Sequence, residues 1–469
     1  RIASLEARTH AAVHYRPVLL GGIYRATAAP QGADGSASDV FNPAKKAVAS
    51  AAVARTLRRL GIAYRAPPRH PLKTLRALRL LYCVPDGERR RALTAALFRA
   101  YWVEGRDVSA GDTLVEIVRE AGIDGLVEAL RQGSWEGGEQ ARRELEESTT
   151  KVVERGAPGV PAFWLPGQSW VDSEGRERQG RLYWGQDRMH FVEAVLLTLR
   201  AGRAPEDMHT LSAPLQDLIP RRVTDLQIPA GQEAKLEFWF DFSSPWAFLG
   251  WTQLERLRRR FGTRLHIDMR PFLLGILFRE IGAPNTPMTA VSRQKREYSQ
   301  LDHADWCRWW NAVAAQSGRT EDPIAFRWSP HFPLRTPTCL RALLVEPRLD
   351  APIFRACWER RLDVSSDQVL AAVIRDAGFD AATILARADS APYRKALRAR
   401  TAEAKATGLC GVPSYRVFRR RQGGEWAPAG GLVWGQDELP VVEDMIAGWD
   451  DEEAGRIDAE DVKPDRSRL

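Results

Sequence analysis

Apolar and polar positions are most clearly ordered in the second half of the chain. Residues 235–242 form a short apolar and aromatic run, which is typical of a buried strand. A helical stretch follows from Trp246 through Arg260, and residues 264–271 then alternate apolar and polar side chains. This order predicts two parallel β-strands joined by a helical crossover.

The remainder of this half is mostly helical. Between about Gly282 and Gly408 the spacing of apolar residues indicates helices, interrupted by prolines and glycines. A β-hairpin over residues 412–434 and a final helix from about Glu438 close the half. We therefore predict a β-α-β unit and a β-β-α unit separated by a long all-helical insertion.

The first half repeats the second. Three short motifs recur in the same order: Arg16-Pro17 as Arg270-Pro271, Gly159-Val160-Pro161 as Gly411-Val412-Pro413, and Trp184-Gly185-Gln186-Asp187 as Trp434-Gly435-Gln436-Asp437. A repeat this long indicates a duplicated domain rather than a solenoid. The sequence predicts one domain over residues 1–202, a linker over 203–233, a second domain over 234–449 and a disordered tail over 450–469.

The first copy begins later in the pattern than the second copy does. The strand and the Ser243-Ser244-Pro245 turn of the second copy have no counterpart ahead of Arg16. We expect a first domain that is N-terminally incomplete and non-catalytic, and a complete, catalytic second domain.

Composition narrows the class of protein. The 469 residues carry a formal net charge of +8, but the arginine runs are interleaved with acidic residues, so we expect no nucleic-acid partner. The sequence contains no apolar run long enough to span a membrane. Its five cysteines form no C-x-x-C pair and its histidines no ligand-like pair. These features predict a reduced, cytoplasmic, metal-free protein.

Three positions in the second copy have a structural and a functional interpretation. Ser244 precedes Pro245 where a strand gives way to a helix; it is either a helix cap or a donor at an anion-binding helix N-terminus. Val412-Pro413 is either an ordinary strand start or a cis peptide whose valine backbone pairs with a ligand. Gln436-Asp437 either caps the last helix or receives an ammonium group.

Taken together, these motifs resemble the DsbA-like thioredoxin fold. The resemblance is to the branch that holds 2-hydroxychromene-2-carboxylate isomerases and kappa-class glutathione transferases. It rests on Phe240-Asp241-Phe242-Ser243-Ser244-Pro245, Arg270-Pro271, Gly411-Val412-Pro413 and Trp434-Gly435-Gln436-Asp437. It implies an α/β fold of two tandem thioredoxin-like domains, each with a helical insertion.

The resemblance also implies glutathione as the cofactor and a set of residues around it. The family's catalytic serine falls on Ser244, and the backbone that pairs with glutathione falls on Val412, before Pro413. Gln436 and Asp437 match the pair at the γ-glutamyl end. Further matches are Lys295, which precedes Tyr298 by three positions, and Asn285.

This sequence also departs from the family pattern at several positions. Glu438 stands where arginine is usual, although the first copy keeps Arg188 there. Arg335 replaces the usual asparagine. The first copy has Lys45 or Lys46 but no tyrosine three positions on.

The resemblance leaves three hypotheses for function. The first is a glutathione-dependent isomerase of aromatic-compound catabolism, in which a bound thiolate adds reversibly to a small unsaturated oxo-acid. Lys295 and Arg335 could then hold the carboxylate of the substrate or of glutathione. The second is a kappa-like glutathione transferase or peroxidase. The third is a degenerate thioredoxin-fold pair that binds without catalysis. In each case we expect the two domains to pair within the chain.

Overall fold

The computed structural model describes residues 1–131, 138–172, 175–421 and 423–450. Its helices are α1 (Ile2–Thr9), α2 (Leu20–Ala26), α3 (Pro43–Leu60), α4 (Leu75–Tyr82), α5 (Glu88–Trp102), α6 (Gly111–Glu120), α7 (Asp124–Arg131), α8 (Gly138–Glu154), α9 (Met189–Arg200), α10 (Pro245–Thr252), α11 (Leu254–Phe261), α12 (Leu274–Glu280), α13 (Arg293–Gln316), α14 (Pro337–Val345), α15 (Asp350–Trp358), α16 (Asp367–Asp376), α17 (Ala381–Asp389), α18 (Ala391–Ala406) and α19 (Leu439–Ile446).

Its strands are β1 (Ala162–Val171), β2 (Glu177–Trp184), β3 (Gln232–Phe240), β4 (Leu265–Pro271), β5 (Ser414–Arg421), β6 (Ala427–Pro428) and β7 (Val433–Trp434). The predicted disordered tail falls almost wholly on residues 451–469, outside the described part. None of the helices in the described part is both long enough and apolar enough to cross a membrane.

The chain forms two compact units. The first unit consists of Arg1–Val40, Ala63–Leu218 and Met288–Gly318; the second consists of Phe41–Ile62, Ile219–Pro287 and Arg319–Leu469. The units therefore follow the two sequence copies except at two segments. The segment with α3, from the first copy, belongs to the second unit, and the segment with α13, from the second copy, belongs to the first unit.

The second unit contains the complete sheet. Strands β3 and β4 are parallel, as predicted, and α10 and α11 form the crossover between them. Strand β5 pairs antiparallel with β3 and also with β6 and β7. The inward side chains of β3 build an aromatic core, in which Phe238 stacks on Phe240 at 5.2 Å between ring centroids. The predicted β-α-β and β-β-α arrangement of this copy is confirmed.

The first unit has a smaller sheet. In its described residues β1 and β2 form an antiparallel pair with a register shift between Leu165 and Ser169. Residues 10–19, which correspond to β4 and its end, lie outside any helix or strand. Because β4 pairs with β3 in the second unit, a segment without a β3 equivalent lacks its hydrogen-bonding partner. The described residues thus offer residues 10–19 no strand equivalent to β3 to pair with.

The two exchanged helices begin in the same way. The Asn42 side chain accepts a hydrogen bond from the Lys45 backbone N–H at 2.9 Å, and the Ser292 side chain accepts one from the Lys295 N–H at 3.3 Å. Each cap satisfies an otherwise unpaired amide of the first turn. Each helix therefore carries a lysine at its third position.

Candidate functional site

Ser244 lies at the junction between the central strand of the second unit and α10. Its hydroxyl oxygen accepts a hydrogen bond from the Ala247 N–H at 3.2 Å, and Pro245 occupies the first position of the helix. The residue is nearly buried, with 7 % of its surface exposed. Ser244 therefore is a helix cap, and among the described residues no acceptor takes its hydroxyl hydrogen. The cap leaves that hydrogen able to point at a bound anion.

Asp241 fixes the path of the turn that carries this serine. Its buried carboxylate accepts hydrogen bonds from the Ser243 N–H at 3.0 Å, the Leu274 N–H at 3.0 Å and the Thr336 hydroxyl at 2.6 Å. Burial raises the pKa of the carboxyl group, and these hydrogen bonds oppose that shift. The carboxylate thus joins the turn to α12 and α14. Sequence reasoning quoted this aspartate within a motif and assigned it no role; its signal was an aspartate three residues ahead of the serine that caps the helix.

The Val412–Pro413 peptide lies next to the helix that begins at Ser244. The peptide is cis, as is its first-copy counterpart Val160–Pro161. A β-carbon added to Gly250 of α10 would lie 3.1 Å from the Pro413 ring, so that helix and this loop are in close contact. The Gly435 N–H donates to the Pro413 carbonyl at 2.9 Å, which joins the loop to the next motif.

Gln436 and Asp437 occupy a short 3₁₀ turn that packs against α10. Gly435 has a φ of 105°, and an added β-carbon there would collide with the Asp437 carboxylate. Only glycine therefore permits this turn. The structure thus brings Ser244, the Val412–Pro413 loop and the Gln436–Asp437 turn together around one helix.

Lys45 belongs to this unit because the segment that contains α3 is part of it. Its ammonium group lies 4.3 Å from the centre of the Phe41 ring and 5.7 Å from that of Trp434, within cation–π range. Burial lowers the pKa of Lys45, and the neighbouring Cys410 opposes the shift. Burial also raises the pKa of the Cys410 thiol to about 11, so this thiol is protonated at neutral pH. The cation beside the Trp434 motif is therefore contributed by the first copy.

Lys295 lies in the other unit. Its ammonium group is 5.4 Å from the centre of the Trp184 ring, and the Tyr298 hydroxyl accepts a hydrogen bond from the Trp184 N–H at 2.8 Å. Lys295 thus belongs to a different compact unit from Ser244. Asn285 remains in the Ser244 unit, where its side-chain oxygen lies 3.2 Å from a β-carbon added to Gly275 on α12.

Arg335 is exposed and directly precedes Thr336, which donates to Asp241. Its backbone therefore lies close to the serine turn. The described residues contain no group of histidine, cysteine or acidic side chains that could hold a metal ion.

The first unit repeats part of this arrangement. Val160 is 41 % exposed, whereas Val412 is 7 % exposed, and Arg1 donates to the Gln186 side chain at 2.7 Å. The described part of this unit has no counterpart of the serine turn or of α10. Trp306 and Trp309 pack on His190 and Phe191, so these tryptophans of α13 are packing residues.

A strand, a capped helix, a cis-proline loop and a helical insertion define the thioredoxin-like class. The model of the DSBA-like thioredoxin domain matches residues 1–197 and 235–447 of this chain. The chain therefore belongs to the DsbA-like thioredoxin-domain family and contains the domain twice.

A comparison with curated proteins finds no match. Solved structures similar to this chain include a 2-hydroxychromene-2-carboxylate isomerase, with 20% identity over 45% of this chain and 92% of that chain and a TM-score of 0.34. A probable DsbA oxidoreductase from Streptomyces coelicolor has 21% identity over 46% and 90%, with a TM-score of 0.31. A putative protein disulfide isomerase from Nitrosomonas europaea has 17% identity over 45% and 96%, with a TM-score of 0.30. Identities this low do not transfer the activities of those proteins.

Proposed function

We propose that the second unit is a glutathione-dependent isomerase acting on small unsaturated aromatic oxo-acids. One observation carries the proposal: a single compact unit holds Ser244 at a helix N-terminus, the Val412–Pro413 loop, the Gln436–Asp437 turn and the Lys45 cation. Each element suits one part of an acidic tripeptide thiol.

The residues of this unit fit the chemical groups of glutathione. Lys45 suits a carboxylate, Gln436 and Asp437 suit the ammonium end, and the backbone of Val412 suits pairing with the peptide. The start of α10 suits a sulfur anion, because its amide groups and dipole favour negative charge. When bound, glutathione supplies a thiolate nucleophile that adds reversibly to the unsaturated acid.

The start of α10 can stabilise such a thiolate by two separate effects. A free thiol has a pKa of about 8.5 and is mostly protonated at neutral pH. A helix dipole stabilises an anion by up to about 2 kcal/mol, which is roughly 1.5 pKa units. A hydrogen bond from the Ser244 hydroxyl to the anion contributes about 1.5–3 kcal/mol. The two effects together bring the thiol pKa below 7, whereas either alone is marginal.

The test is to incubate the intact chain with candidate oxo-acids of this class, with and without glutathione. We expect isomerisation that requires glutathione and leaves its concentration unchanged. Stoichiometric consumption of glutathione would instead identify a transferase or a peroxidase. If millimolar glutathione produces no turnover and no rise in melting temperature, the proposal is wrong and the hypothesis of a binding scaffold gains support.

A further inference from the structure

The exchanged helix α13 is held in the first unit by buried ion pairs. Arg188 donates to both carboxylate oxygens of Asp302, at 2.7 and 2.8 Å. Arg181 donates to Asp305 at 2.6 Å and to the Leu182 carbonyl at 2.7 Å. All four charged residues are buried. The first unit therefore presents arginines to a helix that carries aspartates.

The exchanged helix α3 is held in the second unit by the opposite arrangement. Arg55 of α3 donates to the Leu432 carbonyl at 3.1 Å, and Arg59 donates to the buried Asp444 at 3.1 Å. Here the helix carries the arginines and the body of the unit carries the acceptors.

The two arrangements occupy equivalent positions. Lys45 and Lys295 follow equivalent caps and lie on equivalent tryptophans, so the helices align at the spacing that separates Trp184 from Trp434. By this alignment, Asp302, Asp305 and Trp309 of α13 correspond to Ala52, Arg55 and Arg59 of α3. In the bodies of the two units, Arg181, Leu182 and Arg188 correspond to Gly431, Leu432 and Glu438. The same backbone carbonyl, that of Leu182 or Leu432, is thus bound by an arginine in both units.

Returning each helix to its own copy would mismatch these groups. Asp302 would face Glu438, and Asp305, which keeps Arg308 of its own helix, would face the Leu432 carbonyl without the partner that Arg181 provides. Arg55 would meet Arg181 at the Leu182 carbonyl. Uncompensated charges in a buried site cost several kcal/mol each, which is more than a helix cap contributes.

We propose that these charges specify the exchange, so that each unit accepts only the helix of the other copy. Each unit therefore receives a helix whose inward-facing charges are defined: the aspartates Asp302 and Asp305 in the first unit, and the arginines Arg55 and Arg59 in the second. Alternatives that share the same fold are disfavoured by like charges. The proposal does not depend on glutathione or on catalysis.

A matched pair of substitutions in the intact chain tests it. Arg188→Glu places a carboxylate against Asp302, and we expect the melting temperature to fall by roughly 10 °C, as for breaking one buried pair in a unit of this size. Glu438→Arg makes the mirror-image change opposite Ala52, and we expect less than half of that shift. Adding Asp302→Arg to Arg188→Glu should recover at least half of the loss, because the pair then forms with its charges reversed.

If each helix instead packed on its own copy, the melting temperatures of the two variants would shift in the reverse order. Glu438 would then face Asp302, so Glu438→Arg would raise the melting temperature while Arg188→Glu would leave it nearly unchanged. That result overturns the proposal. So does equal sensitivity at both positions, or a loss in Arg188→Glu that Asp302→Arg does not relieve, since either shows that charge pairing does not select the helix.

Discussion

A single hydroxyl group at Ser244 can serve both the fold and the site. Its oxygen accepts the Ala247 N–H, and its hydrogen stays available for an anion at the end of α10. Ser366 performs the structural half of this role alone, capping α16 through the Val369 N–H. The chain thus supplies an internal control for separating capping from catalysis.

Replacing Ser244 by alanine should lower glutathione-dependent isomerase turnover by ten-fold or more, because the hydrogen bond to the thiolate is lost. Ser366→Ala should cost a similar roughly 1 kcal/mol of stability, the usual effect of a lost cap, while turnover remains normal. Steady-state rates and chemical denaturation of both variants give the comparison. Full activity of Ser244→Ala would remove the serine from the mechanism.

Lys45 should bind a glutathione carboxylate. Replacing it by methionine removes a charge-assisted hydrogen bond, so we expect about ten-fold weaker glutathione binding. The exposed neighbour Lys46, changed to methionine, is the matched control and should bind normally, as should Lys295→Met. Isothermal titration gives the affinities. Weakened binding in Lys295→Met alone would return the role to the residue that the resemblance first indicated.

This lysine should also make glutathione binding depend on pH. Burial lowers its pKa, so the positive charge is lost at a lower pH than for an exposed lysine. We expect affinity to fall as the pH rises through that lowered pKa, and Lys45→Arg to flatten the fall because arginine stays charged. An identical alkaline profile for both proteins would assign the titration to another group.

At the scale of single residues, the sequence predicted the residues of the second copy that the structure brings together around α10. It did not predict Lys45 as their neighbour, because a helix cap such as Asn42 determines where a helix begins and contains no information about the sheet it contacts. The available signal was that the second copy has Glu438 where the first copy has Arg188. Its explanation requires the structure, in which Arg188 pairs with Asp302 of α13.

Among the elements, α10 is the one shared by Ser244, the Val412–Pro413 loop and the Gln436–Asp437 turn. It begins at Ser244, touches Pro413 at Gly250 and packs against the turn at Gln436. A β-carbon at Gly250 would lie 2.5 Å from the buried Tyr415 hydroxyl, so the close approach of α10 to β5 requires glycine.

Gly250→Ala should therefore destabilise the second unit by about 1–3 kcal/mol, as overpacking does, and should also weaken glutathione binding because the helix shifts away from the cis-proline loop. Gly125→Ala is the control: a β-carbon on that helix meets nothing within 4 Å, and alanine favours a helix by about 0.5–1 kcal/mol. Denaturation curves of both variants test this. Equal stability of Gly250→Ala and the parent would mean that α10 is free to move.

The order of elements in the second copy followed from local patterns, since strand alternation and helix caps are properties of neighbouring residues. The loss of strand structure over residues 10–19 did not, because a strand depends on a partner from elsewhere in the chain. The helix exchange belongs to the same category: α3 and α13 begin with equivalent caps and differ in the side chains they bring to a distant surface.

For the whole molecule, each unit contains a helix that is covalently part of the other copy. We expect the two fragments to stay associated after the backbone is cut between the copies. An inserted protease site at the exposed Thr224-Asp225 should allow cleavage, yet the fragments should co-elute in native buffer and separate only when denaturant unfolds a unit. Native size-exclusion chromatography before and after unfolding makes the comparison, and separation in native buffer would contradict the exchange.

The exchange also determines when the first unit can complete its fold during synthesis. The first unit lacks α13 until residue 316 has left the ribosome, long after Leu218 has emerged. At about 5–20 residues per second, the nascent sheet around Trp184 and Phe191 waits roughly 5–20 s with its aromatic face uncovered. During that interval the newborn protein offers chaperones a hydrophobic surface that the mature chain conceals.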